Sequence, residues 1–306
     1  MKHSITMRAA AAGLVCTMLC TEVFALPPGR MVDISGRSLH VVESAGAGPV
    51  VVLEAGGGGF SSFWLKVQPA IRDQLGLRTI SYDRAGLGWS DPGPLPYSIH
   101  DKADDLDALL TALDVDKPIV LVAHSYGGWV AQAFASRYPQ LIGALVLVDP
   151  NSSYFFAQYP KKVARIEAKG AKRPIRGLQR IGLKLQRNWF AKQAGASRSV
   201  FAPMLTDQHQ VALGYMLSAF GTTCRTLSNT QFPDVPTIMI SRGRPQKGFP
   251  WGNSTAEAAW RDGHKILIEH LSTKQHWIAE HAAHAVVIDQ PGIIVKAIAA
   301  AMEMGG

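Results

Sequence analysis

The sequence predicts an α/β domain: a mostly parallel central sheet with helices on both faces, and a helical segment set into it. Three observations point there. Short runs of consecutive apolar residues, the mark of strands buried on both faces, recur along the chain. Helical stretches alternate with them across short connections. That alternation stops over residues 151–233 and then resumes.

The chain has 306 residues, 47% hydrophobic and 18% charged, which excludes disordered, collagen-like and coiled-coil classes. Its length suits one large domain that can fold without a metal or disulfide staple. The formal net charge is +8, which points to acidic partners or an anionic surface rather than to any fold.

Residues 1–25 read as a secretory signal peptide. Lys2 and Arg8 make its positive start, residues 9–19 its apolar centre, and Val23 and Ala25 flank the expected cleavage point. The rival reading is an uncleaved N-terminal anchor, although the apolar run is short for a membrane span. Cleavage would leave 29 basic and 22 acidic residues, a net of +7, and Cys224 as the only thiol. The expected destination is the periplasm or the exterior, where a single cysteine poses no folding problem.

Residues 32–34 and 39–43 read as strands around the turn Ser35-Gly36-Arg37. Residues 49–54 form a buried strand that runs into a glycine run at 56–59. A helix is expected over 61–75, a strand over 77–82 and a turn-rich loop over 83–96. Ser98 caps a helix to Leu113, with Leu106, Leu109 and Leu110 on its apolar stripe and Asp101, Asp104 and Asp105 toward its N-terminus. A strand over 119–123, a helix over 127–138 and a strand over 141–148 follow. After the insertion come a strand at 237–240, a helix at 255–271, a strand at 275–278 and a helix at 292–302. Residues 26–150 and 234–306 are thus the expected core, and 151–233 the expected insertion.

The chemistry concentrates at Ala123-His124-Ser125-Tyr126-Gly127-Gly128, where a buried strand turns sharply into a helix. Small residues at Ala123 and Gly127 let the backbones approach, and the turn exposes the Ser125 hydroxyl at the helix N-terminus. A serine nucleophile needs a base and an acid that orients it. His284, among small residues in the last strand–helix loop, is the expected base, with His281 as its rival. The backbone N–H groups of Gly57 and Tyr126 are the expected oxyanion donors. The glycine run lacks the Lys-Ser/Thr pair of a P-loop and the spacing of a dinucleotide site.

With these motifs the sequence resembles the α/β-hydrolase superfamily over nearly all of residues 31–302 apart from the insertion. The resemblance rests on Leu53-Glu54-Ala55-Gly56-Gly57-Gly58-Gly59, Tyr82-Asp83-Arg84-Ala85-Gly86-Leu87-Gly88-Trp89-Ser90-Asp91, the serine turn, Leu145-Val146-Leu147-Val148-Asp149, and His284 with Asp289-Gln290-Pro291. It implies the α/β-hydrolase fold with a helical lid after the sixth strand. Ala55 stands where many members carry histidine before the oxyanion glycine. The usual acid position, after the seventh strand, falls in Ile240-Ser241-Arg242-Gly243-Arg244-Pro245-Gln246-Lys247, which holds no carboxylate. Some members carry the acid at the end of the sixth strand, and the resemblance implies Asp149 in that role; Glu257 and Asp262 are the alternatives. Asp83 and Arg84 fit a buried salt bridge anchoring the loop after the fourth strand, and Asp289 caps or precedes the last helix.

The insertion carries 12 Lys or Arg and one acid, Glu167, between residues 161 and 198. Residues 174–191 read as an amphipathic helix with Ile175, Leu178, Ile181, Leu185 and Trp189 on the stripe that packs on the core. Attraction of its basic face to an anionic membrane and steering of anionic substrates are two further readings. No nucleic-acid-binding module or metal-ligand spacing stands out, and no cofactor is expected. The expected function is hydrolysis of a carboxylic ester or related acyl bond in a small-molecule substrate through Ser125, His284 and Asp149. The Ser nucleophile argues against epoxide hydrolases and dehalogenases, members that attack with Asp. Lactonase and peptidase chemistry stay open, as does a ligand-binding protein on the same scaffold.

Overall fold

The computed structural model describes residues 29–157, 159–177, 179–246 and 254–305; the expected signal peptide lies outside them. The strands are β1 (Arg30–Asp33), β2 (Ser38–Ser44), β3 (Ala47–Glu54), β4 (Leu77–Tyr82), β5 (Ile119–His124), β6 (Ile142–Val148), β7 (Thr237–Arg242) and β8 (Lys274–Ala279). They form one eight-stranded sheet in the order β1-β2-β4-β3-β5-β6-β7-β8. The pairs β1–β2 and β2–β4 are antiparallel, and every pair from β4–β3 to β7–β8 is parallel.

Alternate residues of the central strands feed two cores, because side chains leave a strand on opposite faces in turn. Val52, Leu121, Leu145 and Leu147 join Leu106, Leu109, Trp129 and Phe134 from helices α2 (Ile99–Ala112) and α3 (Gly127–Arg137). Val51, Leu53, Val120, Val122 and Val146 join Val67, Ile71, Ile294 and Ile298 from α1 (Val67–Leu75) and α11 (Pro291–Gly305). Ser98 caps α2 in a reciprocal pair with Asp101. The single helix expected over 61–75 divides into a 3₁₀ turn (Ser61–Trp64) and α1. Pro69 falls in the first turn of α1, where its missing N–H costs nothing.

Between β6 and β7 lie α4 (Ser153–Ala157), α5 (Pro160–Gly170), α6 (Gln179–Ala194), α7 (Asp207–Ser218) and α8 (Phe220–Ser228). After β7 come α9 (Ser254–Glu269), and then, beyond β8, α10 (Val286–Asp289).

The stripe expected to pack on the core is a correction. Ile181, Leu185 and Trp189 are 54%, 64% and 46% exposed, and the helix starts at Gln179 rather than Pro174. Leu178 lies outside the described residues. The packed side of α6 is instead Leu183, Phe190 and Ala191, and its rings meet Phe63 and Phe201. The inner and outer sides of α6 are both apolar, so periodicity alone selects the wrong one.

Candidate active site

Ser125 leaves β5 with φ +54°, a left-handed backbone that costs a non-glycine residue about 1–3 kcal/mol unless its surroundings hold it. They do. Its N–H donates to the Val148 carbonyl at 3.0 Å, and its carbonyl accepts from Gly128 and Asn151. A Cβ at Gly127 would sit 2.6 Å from the Glu54 carbonyl oxygen, so only glycine lets α3 start this close to β3. The register His124↔Val148 sets Asp149 beside Ser125 at the C-terminal edge of the sheet. Asp149 is itself left-handed, with φ +41° and its N–H bonded to Ile240 at 2.6 Å.

His284 lies between these two bends. Ser125 Oγ is 2.8 Å from its Nε2, and its Nδ1 is 2.6 Å from Asp149 Oδ2. A carboxylate can only accept, so Nδ1–H donates to Asp149 and Nε2 accepts from the serine hydroxyl. This arrangement can pass the hydroxyl proton to the ring while the carboxylate holds the resulting charge. The His284 side chain is 32% exposed and Asp149 is fully buried.

Asp149 takes donors on both oxygens: the Trp260 indole at 3.0 Å and the Arg242 N–H on Oδ1, the Arg242 guanidinium at 2.7 Å and His284 on Oδ2. Burial alone would raise its pKa. The hydrogen bond from His284 and the Arg242 charge outweigh burial and hold the carboxyl well below the usual carboxylate range. Arg242 in turn donates to Glu257, which completes a buried Asp–Arg–Glu chain.

Three contacts fix the His284 loop. His284 N–H donates to Gln246 at 3.1 Å, and Ala283 N–H donates to Asp289 at 3.0 Å. His124 Nε2–H donates to the His284 carbonyl at 2.8 Å. Burial, and then the neighbouring His284 charge, push the His124 pKa down to about 3, so this ring stays neutral and keeps one donor and one acceptor.

The glycine run lies against the serine turn: a Cβ at Gly56 would come within 3.2 Å of Ser125 Cβ. Among the described residues, neither the Gly57 nor the Tyr126 N–H has a hydrogen-bond partner. Arg84 sets the run's orientation. Its guanidinium donates to the Ala55 carbonyl at 2.5 Å and to the Gly56 carbonyl at 2.6 Å, and pairs with buried Glu54. In a trans peptide C=O and N–H point opposite ways, so holding the Gly56 carbonyl on Arg84 aims the Gly57 N–H away from it. Over the run sit Leu213 and Met216 of α7, within 3.3 and 3.1 Å of where Cβ atoms at Gly58 and Gly57 would stand.

The structure brings Ser125, His284 and Asp149 together and leaves the alternatives elsewhere. Glu257 is bound to Arg242, Asp262 is exposed on Lys265, and His281 is exposed with its N–H on Gln290. The Asp83–Arg84 bridge is a correction. Arg84 pairs with Glu54, while Asp83 accepts from Ser61, Trp89 and His40. Adjacent residues point to opposite sides, so sequence proximity misled. Reading the sequence also missed Arg242, Trp260 and His124. The signal for Arg242 was present: the expected acid position holds an arginine, and a buried carboxylate one strand away needs a counter-charge.

A family profile described as alpha/beta hydrolase fold matches residues 48–257. The uncharacterized protein YqjL of Bacillus subtilis is 26% identical over 271 residues, covering 87% of this chain and 88% of that protein. A thermophilic esterase from Thermogutta terrifontis superposes with TM-score 0.62 at 19% identity, over 90% of this chain and 98% of the other. An epoxide hydrolase from Bacillus megaterium superposes with TM-score 0.65 at 18% identity, over 90% and 100%. At such identities the two structures attest to the fold alone.

Proposed function

The chain belongs to the α/β-hydrolase fold family, and on that premise we propose that it is a serine hydrolase cleaving carboxylic esters or related acyl bonds. The single observation that carries the reading is the continuous hydrogen-bonded line Ser125–His284–Asp149. Ser125 Oγ attacks the acyl carbon as His284 Nε2 takes its proton. The carbonyl oxygen becomes an oxyanion held by the Gly57 and Tyr126 N–H groups. His284 then protonates the leaving alcohol, and an acyl-serine remains. Water, deprotonated by His284, releases the acid and restores the hydroxyl. One feature favours this over epoxide opening: the nucleophile turn carries a hydroxyl rather than a carboxylate.

In this reading residues 151–233 are the lid, with Leu213 and Met216 forming an apolar wall for the acyl group. Residues 1–25 are a signal peptide, so the N-terminal mass of protein recovered from the periplasm or medium should start at Leu26. The test of the activity is a series of p-nitrophenyl esters of graded chain length. Turnover should be measurable for at least one ester and lost in Ser125→Ala. Turnover that persists in that variant, or none with any ester, contradicts the proposal.

A further inference from the structure

The outer side of α6 is open to solvent, and its Trp189 ring touches Phe190 of the same helix. Ile181, Leu185 and Trp189 recur every four residues and are 54%, 64% and 46% exposed. At 3.6 residues per turn they share one face with Lys192, and Lys184 lies beside them, all within about 140° of arc. Lys184 and Lys192 are exposed, as is Arg176 just before the helix. Residues 168–206 hold nine Lys or Arg and no Asp or Glu. The opposite side of the helix is anchored: Leu183 and Ala191 are buried, and the Phe190 ring lies 4.7 Å from that of Phe63. α6 is therefore a fixed helix showing solvent a narrow apolar ridge in a predominantly basic field, in which the exposed Asp207 pairs with Arg180 at 3.5 Å.

Apolar side chains alone would suit many partners. The surrounding charge narrows the choice, since a ridge of Ile, Leu and Trp flanked mainly by bases matches a surface with an apolar interior and negative headgroups. We propose that this face docks the protein on an anionic lipid bilayer, with Trp189, Leu185 and Ile181 entering the headgroup–acyl boundary and Lys184, Lys192 and Arg176 meeting lipid phosphates. The docking is independent of the Ser125 chemistry, and Ser125→Ala should dock as the parent does.

The experiment is sedimentation of the full chain with vesicles of phosphatidylcholine alone or mixed with phosphatidylglycerol. Binding should require phosphatidylglycerol and weaken as salt rises. Each Lys or Arg near an anionic surface is worth about fivefold in partitioning. Arg176→Ala/Lys184→Ala/Lys192→Ala should therefore bind on the order of a hundredfold more weakly. Ile181→Ser/Leu185→Ser/Trp189→Ser should also lose binding. Both variants alter only the exposed side, so their thermal transitions should match the parent's. Vesicles should also shift Trp emission to the blue in the parent and less so in Trp189→Phe. Four results overturn the proposal: no vesicle binding, equal binding to both vesicle types, binding that survives the triple substitutions, or loss of a concentration-dependent dimer in those variants in place of vesicle binding.

Discussion

Replacing Asp149 with Asn removes a charge without changing shape, and the structure indicates what that should do. Four N–H donors converge on the two carboxylate oxygens, and of the four only the His284 ring can turn acceptor, by changing tautomer: Trp260 and the Arg242 amide on one, the Arg242 guanidinium and His284 on the other. An amide must turn its NH₂ toward one of these pairs. Facing Trp260, it sets donor against donor. Facing His284, it crowds the guanidinium and makes Nδ1 the acceptor, so the proton moves to Nε2 and Ser125 loses its base. The second arrangement resembles the known case of a triad aspartate changed to asparagine, which costs about 10⁴ in kcat. The first leaves a buried donor clash and an Arg242 charge answered only by Glu257. We therefore expect kcat to fall by about 10³–10⁴, equivalent to about 4–5.5 kcal/mol of transition-state stabilisation at 1.36 kcal/mol per decade. Folding stability should fall by about 1–3 kcal/mol, the usual cost of an unmet buried polar group. Steady-state turnover of a soluble ester and urea unfolding measure the two. Turnover within about tenfold of the parent would refute the orienting role of Asp149, because loss of the tautomer cannot cost so little.

Three further outcomes follow from the same geometry. Arg84→Lys keeps a charge for Glu54 but cannot hold the Ala55 and Gly56 carbonyls together, so kcat should drop at least about tenfold with KM nearly unchanged; an unchanged kcat would show that the Gly57 N–H needs no such clamp. Gly127→Ala forces a Cβ to within 2.6 Å of the Glu54 carbonyl oxygen and should lower stability by about 1–3 kcal/mol as well as slow turnover, as thermal unfolding would show. Burial, the largest cause in both cases, lowers the pKa values of His209 and His264 from 6.5 to about 4. Above pH 6.5 neither the folded nor the unfolded chain protonates them, and between 6.5 and 4 only the unfolded chain does. Unfolding free energy should thus decline as pH falls through that window, by at most about 3 kcal/mol per histidine, and His209→Gln should show a shallower decline.

The sheet was readable from sequence because its strands are buried on both faces: unbroken apolar runs such as residues 119–123 and 141–148 mark them to within a residue or two of β5 and β6. Ser125 was readable because a tight strand–helix turn demands small residues two positions to each side of it, here Ala123 and Gly127. His284 was readable from its place after the last strand. Pairings that cross the sheet were not. Arg84 and Glu54 are thirty residues apart and Arg242 and Asp149 ninety-three, and nothing local joins them. The outer face of α6 was misread for a different reason. Helical periodicity shows that an apolar stripe exists but not whether protein covers it, and here the covering falls on Leu183 and Ala191 instead.

The most direct test of the central claim is to treat the protein with a fluorophosphonate probe and locate the adduct by peptide mass spectrometry. The account requires a single phosphonylated residue, Ser125, formed rapidly in the parent and far more slowly in His284→Ala. Failure of Ser125 to react, or equal labelling with and without the His284 imidazole, would contradict it.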